Sequence, residues 1–158
     1  MKEAINAGLN FGLTSGVITT LGLMVGLHSG TNSTLAVIGG VLTIAIADSL
    51  SDALGIHIAK EGEKDSSEQE IWAATIMTFI AKFVMAMTFI VPVLILDLTM
   101  AVIASIIWGM LVLAILSYFV ARQNGDNALY VIVEHLVIAL IVIAATHYVG
   151  IWVSTTFQ

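Results

Sequence analysis

The chain is 158 residues long, 59% hydrophobic and only 10% charged, with a mean hydropathy of +1.04. Soluble domains carry about 25% charged residues, so this composition indicates an integral membrane protein embedded in a lipid bilayer, with a length that suits one domain over residues 1–158. Five basic against eleven acidic residues, much of the acid between Glu61 and Glu70, exclude nucleic acid as a partner, and the absence of cysteine excludes disulfides, thiolate metal sites and cysteine nucleophiles.

A membrane span needs roughly 20 mostly apolar residues, and on that criterion we expect an all-α fold of five transmembrane helices. The first runs from about Ala4 to Leu27, interrupted by glycines and threonines in a way unlike a cleavable signal. The loop HSGTNST follows. The second runs from about Leu35 to Ala59 and ends in the charged stretch KEGEKDSSEQE. The third runs from about Ile71 to Leu94, and LDLT links it to the fourth, about Met100 to Ala121. RQNGDN then leads to the fifth, about Ala128 to Val153. An odd number of spans sets Lys2, Lys60, Lys64 and Arg122 on one side, which the positive-inside rule makes cytoplasmic. The N-terminus is then cytoplasmic and the C-terminus outside.

Gly8, Gly12 and Gly16, followed by Gly22 and Gly26, mark the first span as a close-packing helix, either against its neighbours or across a dimer contact. A glycine-lined passage is the other reading. In the second span, Asp48 and Asp52 stand four residues apart and so share one helical face, with Ser51 and Gly55 close to the same stripe. A carboxylate deep in a bilayer costs about 2.5 kcal/mol or more and faces a partner or a water-filled cavity. At about 1.5 Å of rise per residue, Asp52 lies roughly 10 Å and Asp48 roughly 17 Å from the cytoplasmic end. Lys82 in the third span is also roughly 17 Å deep, and Glu134 in the fifth roughly 9 Å. Asn10, Thr14 and Ser15 of the first span fall in the same layer. Depth therefore allows Asp48, Asp52, Glu134, Lys82, Ser15 and Thr14 to converge.

Carboxylates with neutral oxygens suit hard divalent cations, and three acids with one lysine sum to about −2, the complement of such an ion. Metal entry would expel a proton from Lys82 or from an acid, a simple basis for antiport. The alternative is that Lys82 and Asp48 form a structural ion pair. Glu61 and Glu63 are candidates for a cytoplasmic cation entry, against the simpler reading of a solvated loop. His57 points away from the aspartate stripe, His135 from Glu134, and none of the four histidines has HExxH spacing. Met77, Met85 and Met87 read as packing residues rather than soft ligands. No nucleophile–base–orienter set, P-loop or GxGxxG motif is present, and no enzymatic activity or prosthetic group is expected.

FGLTSGVITTLGLMVGL (Phe11 to Leu27) resembles the opening helix of the vacuolar iron transporter family, with Gly12, Gly16, Gly26 and the run Thr19, Thr20, Leu21 in register. ADSLSDALGIHIAKEGE resembles that family's second helix, TFIAKFVMAMTFIVPVLI its third, and EHLVIALIVIAATHYVGIWV its last. The resemblance implies a homodimer of five-span subunits that exports Fe²⁺ or Mn²⁺ from the cytosol in exchange for protons. The membrane would be the cell membrane of a prokaryote or a vacuole-type membrane of a eukaryote. In the family, a first-helix aspartate and a second-helix methionine line the path at the dimer interface. Here Phe11 and Ser15 stand at the aspartate positions and Asp52 at the methionine position. Asp48 is additional, Lys82 stands where the family is usually apolar, and only Glu61 to Glu70 remain where many members carry a long acidic helical domain. A carboxylate in place of a soft methionine favours harder cations, Mn²⁺ over Fe²⁺. Two other functions remain open at this point. One is a proton-linked transporter or channel for a non-metal solute, and the other is a membrane interaction protein whose buried charges only specify packing.

Overall fold

A computed structural model describes residues 1–157. The chain is all-α, with α1 (Lys2–Thr31), α2 (Thr34–Glu61), α3 (Glu68–Thr88), α4 (Ile90–Ile95), α5 (Leu98–Asn124) and α6 (Ala128–Phe157). The short α4 follows α3 after the single residue Phe89, Glu68–Ile95 counts as one span, and five helices are long and apolar enough to cross a membrane.

The helices run further than hydropathy alone suggests, because their ends are set by capping groups. The expected loop from His28 to Thr34 shrinks to Asn32 and Ser33. The Thr31 hydroxyl donates back to the Leu27 carbonyl at 2.8 Å. Asn32 then stops α1 in the left-handed conformation (φ 46°) with its N–H on the His28 carbonyl, a conformation asparagine tolerates better than most residues. Ser33 caps α2 by accepting from the Ala36 N–H at 3.2 Å. Ser67 and Glu70 form a capping box at the start of α3, Asp97 caps α5, and Gly125 (φ 78°) closes it. The last helix likewise continues past Val153 to Phe157.

The third span is not one continuous helix, as its hydropathy had suggested. Pro92 has no N–H for the Thr88 carbonyl, and its ring crowds that carbonyl. The ladder breaks one residue later, where the Phe89 N–H bonds the Ala86 carbonyl at 3.1 Å. The Thr88 hydroxyl donates to the Met85 carbonyl and accepts from the Trp108 indole N–H at 3.1 Å, which ties the break to α5.

α1 is the central helix, packed against α2, α3, α5 and α6. Its glycines are divided between two neighbours. A Cβ on Gly12 would lie 2.6 Å from the Thr78 carbonyl oxygen, and one on Gly16 would lie 3.1 Å from the Met85 Cβ, so Gly8, Gly12 and Gly16 seat α1 on α3. Gly22, Gly26 and Gly30 instead face Val142, Thr146 and Gly150 of α6. The first-span glycines therefore serve packing inside the chain. In lipid, where apolar contact with another helix gains little over contact with a chain of the bilayer, such close approach is the main source of helix association. Around α1 lies a core of Val17, Leu21, Met24, Val41, Met85 and Leu113.

The two ends of the bundle differ in charge. The Met1 amino group pairs with Glu70 at the end that also carries Lys2, Lys60, Lys64 and Arg122. At the opposite, lysine-free end, His147 meets Ser29 at 2.6 Å and His28 meets Thr99 at 3.4 Å.

Candidate functional site

Lys82 sits on α3 beside Gly12 and Gly16 of α1, whose lack of side chains lets α1 come close to its backbone. Its side chain is 2% exposed. An ammonium this deep requires partners, since desolvation without them costs several kcal/mol. It has three. Nζ donates to Asp52 Oδ2 at 2.5 Å and to Ser15 Oγ at 2.9 Å. It also lies 2.5 Å from Asp48 Oδ2, as an ion pair outside hydrogen-bond geometry. The Ser15 hydroxyl in turn donates to Asp52 Oδ2 at 2.6 Å. One helical turn of α2, one residue of α1 and one of α3 thus close a compact cluster with a formal charge of −1.

The two aspartates are not equivalent. Asp52 receives both Lys82 and Ser15, and its side chain is 20% exposed. Asp48 has only the ion pair, is 28% exposed, and lines a groove of about 600 Å³ between α1 and α2. The groove is walled by Leu23 and Leu27 of α1 and runs along α2 from Ala36 through Gly40, Thr43 and Ala47 to Asp48 and Ser51. Because Ala36 belongs to the first turn of α2, the groove leads from Asp48 toward the lysine-free end. The Thr43 and Ser51 side chains are exposed and make no hydrogen bond among the described residues.

Of the residues placed by depth, Asp48, Asp52, Lys82 and Ser15 come together. Glu134 does not. It is exposed on α6, without a hydrogen bond or ion pair, and among the described residues no three His, Asp or Glu side chains gather to hold a metal ion. The reason is azimuthal: α6 presents only Ala139 and Gly150 as buried residues, and Glu134 lies off that contact line. Thr14 is half-buried but makes no side-chain hydrogen bond, being about 100° around α1 from Ser15. The three-acid site of charge −2 is thereby corrected to two acids and a lysine. Lys82 also differs from the expected Lys82–Asp48 structural pair: Asp48 touches it as an ion pair alone, and Asp52 is the more firmly tied of the two.

Glu61 and Glu63 are engaged locally at the lysine-bearing end. Glu61 lies 3.6 Å from His57 Nε2. Glu63 accepts from Lys60 at 2.8 Å and from Ser66 at 3.0 Å, and these donors hold its carboxyl below the ordinary value. Sequence reasoning missed how the histidines are used. His57 bonds Thr75 at 2.9 Å and packs edge-on against Trp72, joining α2 to α3. His135 bonds Ser117 at 2.8 Å, joining α6 to α5, as His147 and Ser29 join α6 to α1. Polar groups that find partners across helices are the glue of membrane bundles. A histidine near each of several span ends was the available signal.

No family model matches the chain, and no curated protein matches it.

Proposed function

We propose that this chain is a membrane transporter for a divalent cation of the Fe²⁺/Mn²⁺ class, exporting it from the cytosol in exchange for protons, with Asp48 and Asp52 as the cation's ligands and Ser15 as a neutral oxygen ligand. The observation that carries this reading is the Lys82 ammonium, buried and held between two carboxylates. The protein has built a cation site in its interior and filled it with its own tethered cation. A divalent ion seated about 4 Å from that ammonium would be repelled by roughly 8 kcal/mol at an effective dielectric constant near 20. The two cannot share the site, so entry of the metal requires Lys82 to move away or to give up its proton. Loss of the proton makes metal and proton occupancy alternate, which is the requirement for exchange, whereas movement of the intact ammonium alone would release none; the exchange reading therefore takes Lys82 as the group that gives up a proton. Positive charge at the Lys2, Lys60, Lys64 and Arg122 end makes that end cytoplasmic.

A homodimer fits the same face. Gly39, Thr43, Ala47, Ser51 and Gly55 form an outward stripe of small residues along α2. A Cβ on Gly39 or Gly55 would meet nothing within 4 Å in the chain itself. A second subunit facing this stripe across the α1–α2 groove would account for their small size and leave the groove open as a path between the subunits.

The test is Mn²⁺ and Fe²⁺ flux in proteoliposomes with a luminal pH dye. Metal influx with opposite proton flux is expected from the native chain, and its loss from Asp48→Ala/Asp52→Ala with folded protein retained. Flux that survives the double change would end the site assignment. A second reading is favoured by the saturation of Lys82: a proton-linked carrier or channel for a non-metal solute. Proton flux indifferent to every divalent cation would establish it. A membrane interaction protein with purely structural charges would instead tolerate exchange of Asp48 and Lys82, with no flux of either kind.

A further inference from the structure

Asp48 and Asp52 look interchangeable by charge and helical spacing, but their surroundings assign them different work. Asp52 Oδ2 accepts two hydrogen bonds, from Lys82 Nζ and from the Ser15 hydroxyl, and Ser15 Oγ itself accepts from the same Nζ. The three groups form a closed triangle, and moving Asp52 breaks two bonds of it. Asp48 touches the ammonium without hydrogen-bond geometry and lines the α1–α2 groove. Two further oxygens, the Thr43 and Ser51 hydroxyls, stand free on the same side of α2, one turn or so to either side of Asp48. Over the length from Ala36 to Ser51, about 22 Å at 1.5 Å per residue, this groove joins Asp48 to the lysine-free end. Asp52 is not among the groove's lining residues.

We propose that Asp48 is the carboxylate through which the cation enters and leaves, that it does so through the α1–α2 groove with the lysine-free side of the membrane, and that Asp52 and Ser15 are the inner oxygens, which hold Lys82 whenever the cation is absent. The identity of the cation rests on the transporter reading above; the access route does not. The groove would take a small hydrated cation, whose lost waters can be replaced in turn by the Thr43 hydroxyl, the Asp48 carboxylate and the Ser51 hydroxyl, all hard oxygen donors.

The chain contains no cysteine, so single cysteines report access without background. Thr43→Cys, Ala47→Cys and Ser51→Cys are compared with Leu50→Cys, which is exposed on α2 but outside the groove. The full chain is reconstituted, and an impermeant cationic methanethiosulfonate reagent is added to one side at a time. A thiol must ionise to react and stays inert in lipid. Labelling at the three groove positions is therefore expected from the lysine-free side at least about tenfold faster than at Leu50→Cys, and faster than from the other side. Groove labelling no faster than at Leu50→Cys, or faster from the lysine-bearing side, overturns the access route.

Mn²⁺ is then titrated against labelling of Ala47→Cys. Protection is expected, with its midpoint raised more by Asp48→Asn than by Asp52→Asn. The reverse order assigns the exchange to Asp52 and overturns the division of roles. Fast, one-sided labelling with no protection by Mn²⁺ confirms the route and removes the divalent cation from the proposed function. The labelling comparison is made with both aspartates intact, so it stands even if an aspartate variant fails to fold.

Discussion

Replacing Lys82 with methionine keeps an unbranched chain of similar length in the same slot and removes only the charge. The structure sets the size of the effect. Nζ is the shared partner of two carboxylate oxygens, each 2.5 Å away, so those oxygens are separated by at most twice that distance. Without the ammonium they face each other as like charges. At about 4 Å and an effective dielectric constant near 20 that repulsion is roughly 4 kcal/mol. Removing one member of a buried ion cluster is typically destabilising by about 3–5 kcal/mol. The two routes agree, and Lys82→Met is expected to lose about 3–5 kcal/mol at neutral pH. Lys82→Met/Asp48→Asn/Asp52→Asn removes the stranded charges as well and is expected to return to within about 1 kcal/mol of the native chain, or above it. Equilibrium unfolding in mixed micelles, followed by the fluorescence of Trp72, Trp108 and Trp152, measures all of these. A single variant within about 1 kcal/mol of native would mean that water already solvates the cluster. A triple variant no more stable than the single would mean that Lys82 acts through packing of its stem rather than through charge.

The glycines offer a contrast between packing within the chain and the proposed dimer contact. Gly12→Ala pushes a Cβ against the Thr78 carbonyl and is expected to cost about 1–3 kcal/mol in the same unfolding assay. A Cβ added at Gly39 has no atom of the described residues within 4 Å; Gly39→Ala should leave the stability of the single chain almost unchanged while lowering the fraction of the proposed dimer seen by single-molecule photobleaching. Ser67→Ala removes the α3 capping box and should cost about 0.5–2 kcal/mol, read as faster hydrogen exchange in the first turn of α3. Lys60 and Ser66 hold the Glu63 carboxyl low. Their ordering of the turn is therefore full above the ordinary carboxylate range and is lost as pH falls through the lowered value. Amide exchange in the Glu61 to Ser66 turn should accelerate only there, and an acceleration already complete near neutral pH would contradict the pairing.

Helix number and order were legible because hydropathy over some 20 residues averages out local detail. Helix ends were not, since they depend on single capping groups. His28 to Gly30 look like a polar loop by composition, yet they are helical because Asn32 accepts the left-handed stop and Gly30 packs on Gly150. The break at Phe89 was written in the chain's one proline, a signal that a hydropathy window smooths away. The glycine spacing of α1 announced close packing, but only the fold divides it between α3 and α6.

The polar cluster shows a deeper limit of the same kind. Depth along a helix is one coordinate, and it is readable from sequence at about 1.5 Å per residue. It placed Lys82, Asp48 and Ser15 in one layer, where they are found. It placed Glu134 nearby as well, and that acid is on an exposed face. The missing coordinate is the angle around each helix, which the neighbours decide. α2 and α3 show their inward faces through buried runs such as Ala45, Ser49 and Ala53, or Ala74, Thr78 and Ala81, while α6 buries only Ala139 and Gly150, a line from which Glu134 stands off. Removing Glu134 changes the chemistry as well as the geometry. With three acids the cluster would carry −2 and could hold a divalent ion beside Lys82. With two it carries −1, and a divalent ion balances the carboxylates only when the lysine is neutral or elsewhere. In the metal transport proposed above, metal and charged lysine would therefore alternate in a cluster of charge −1.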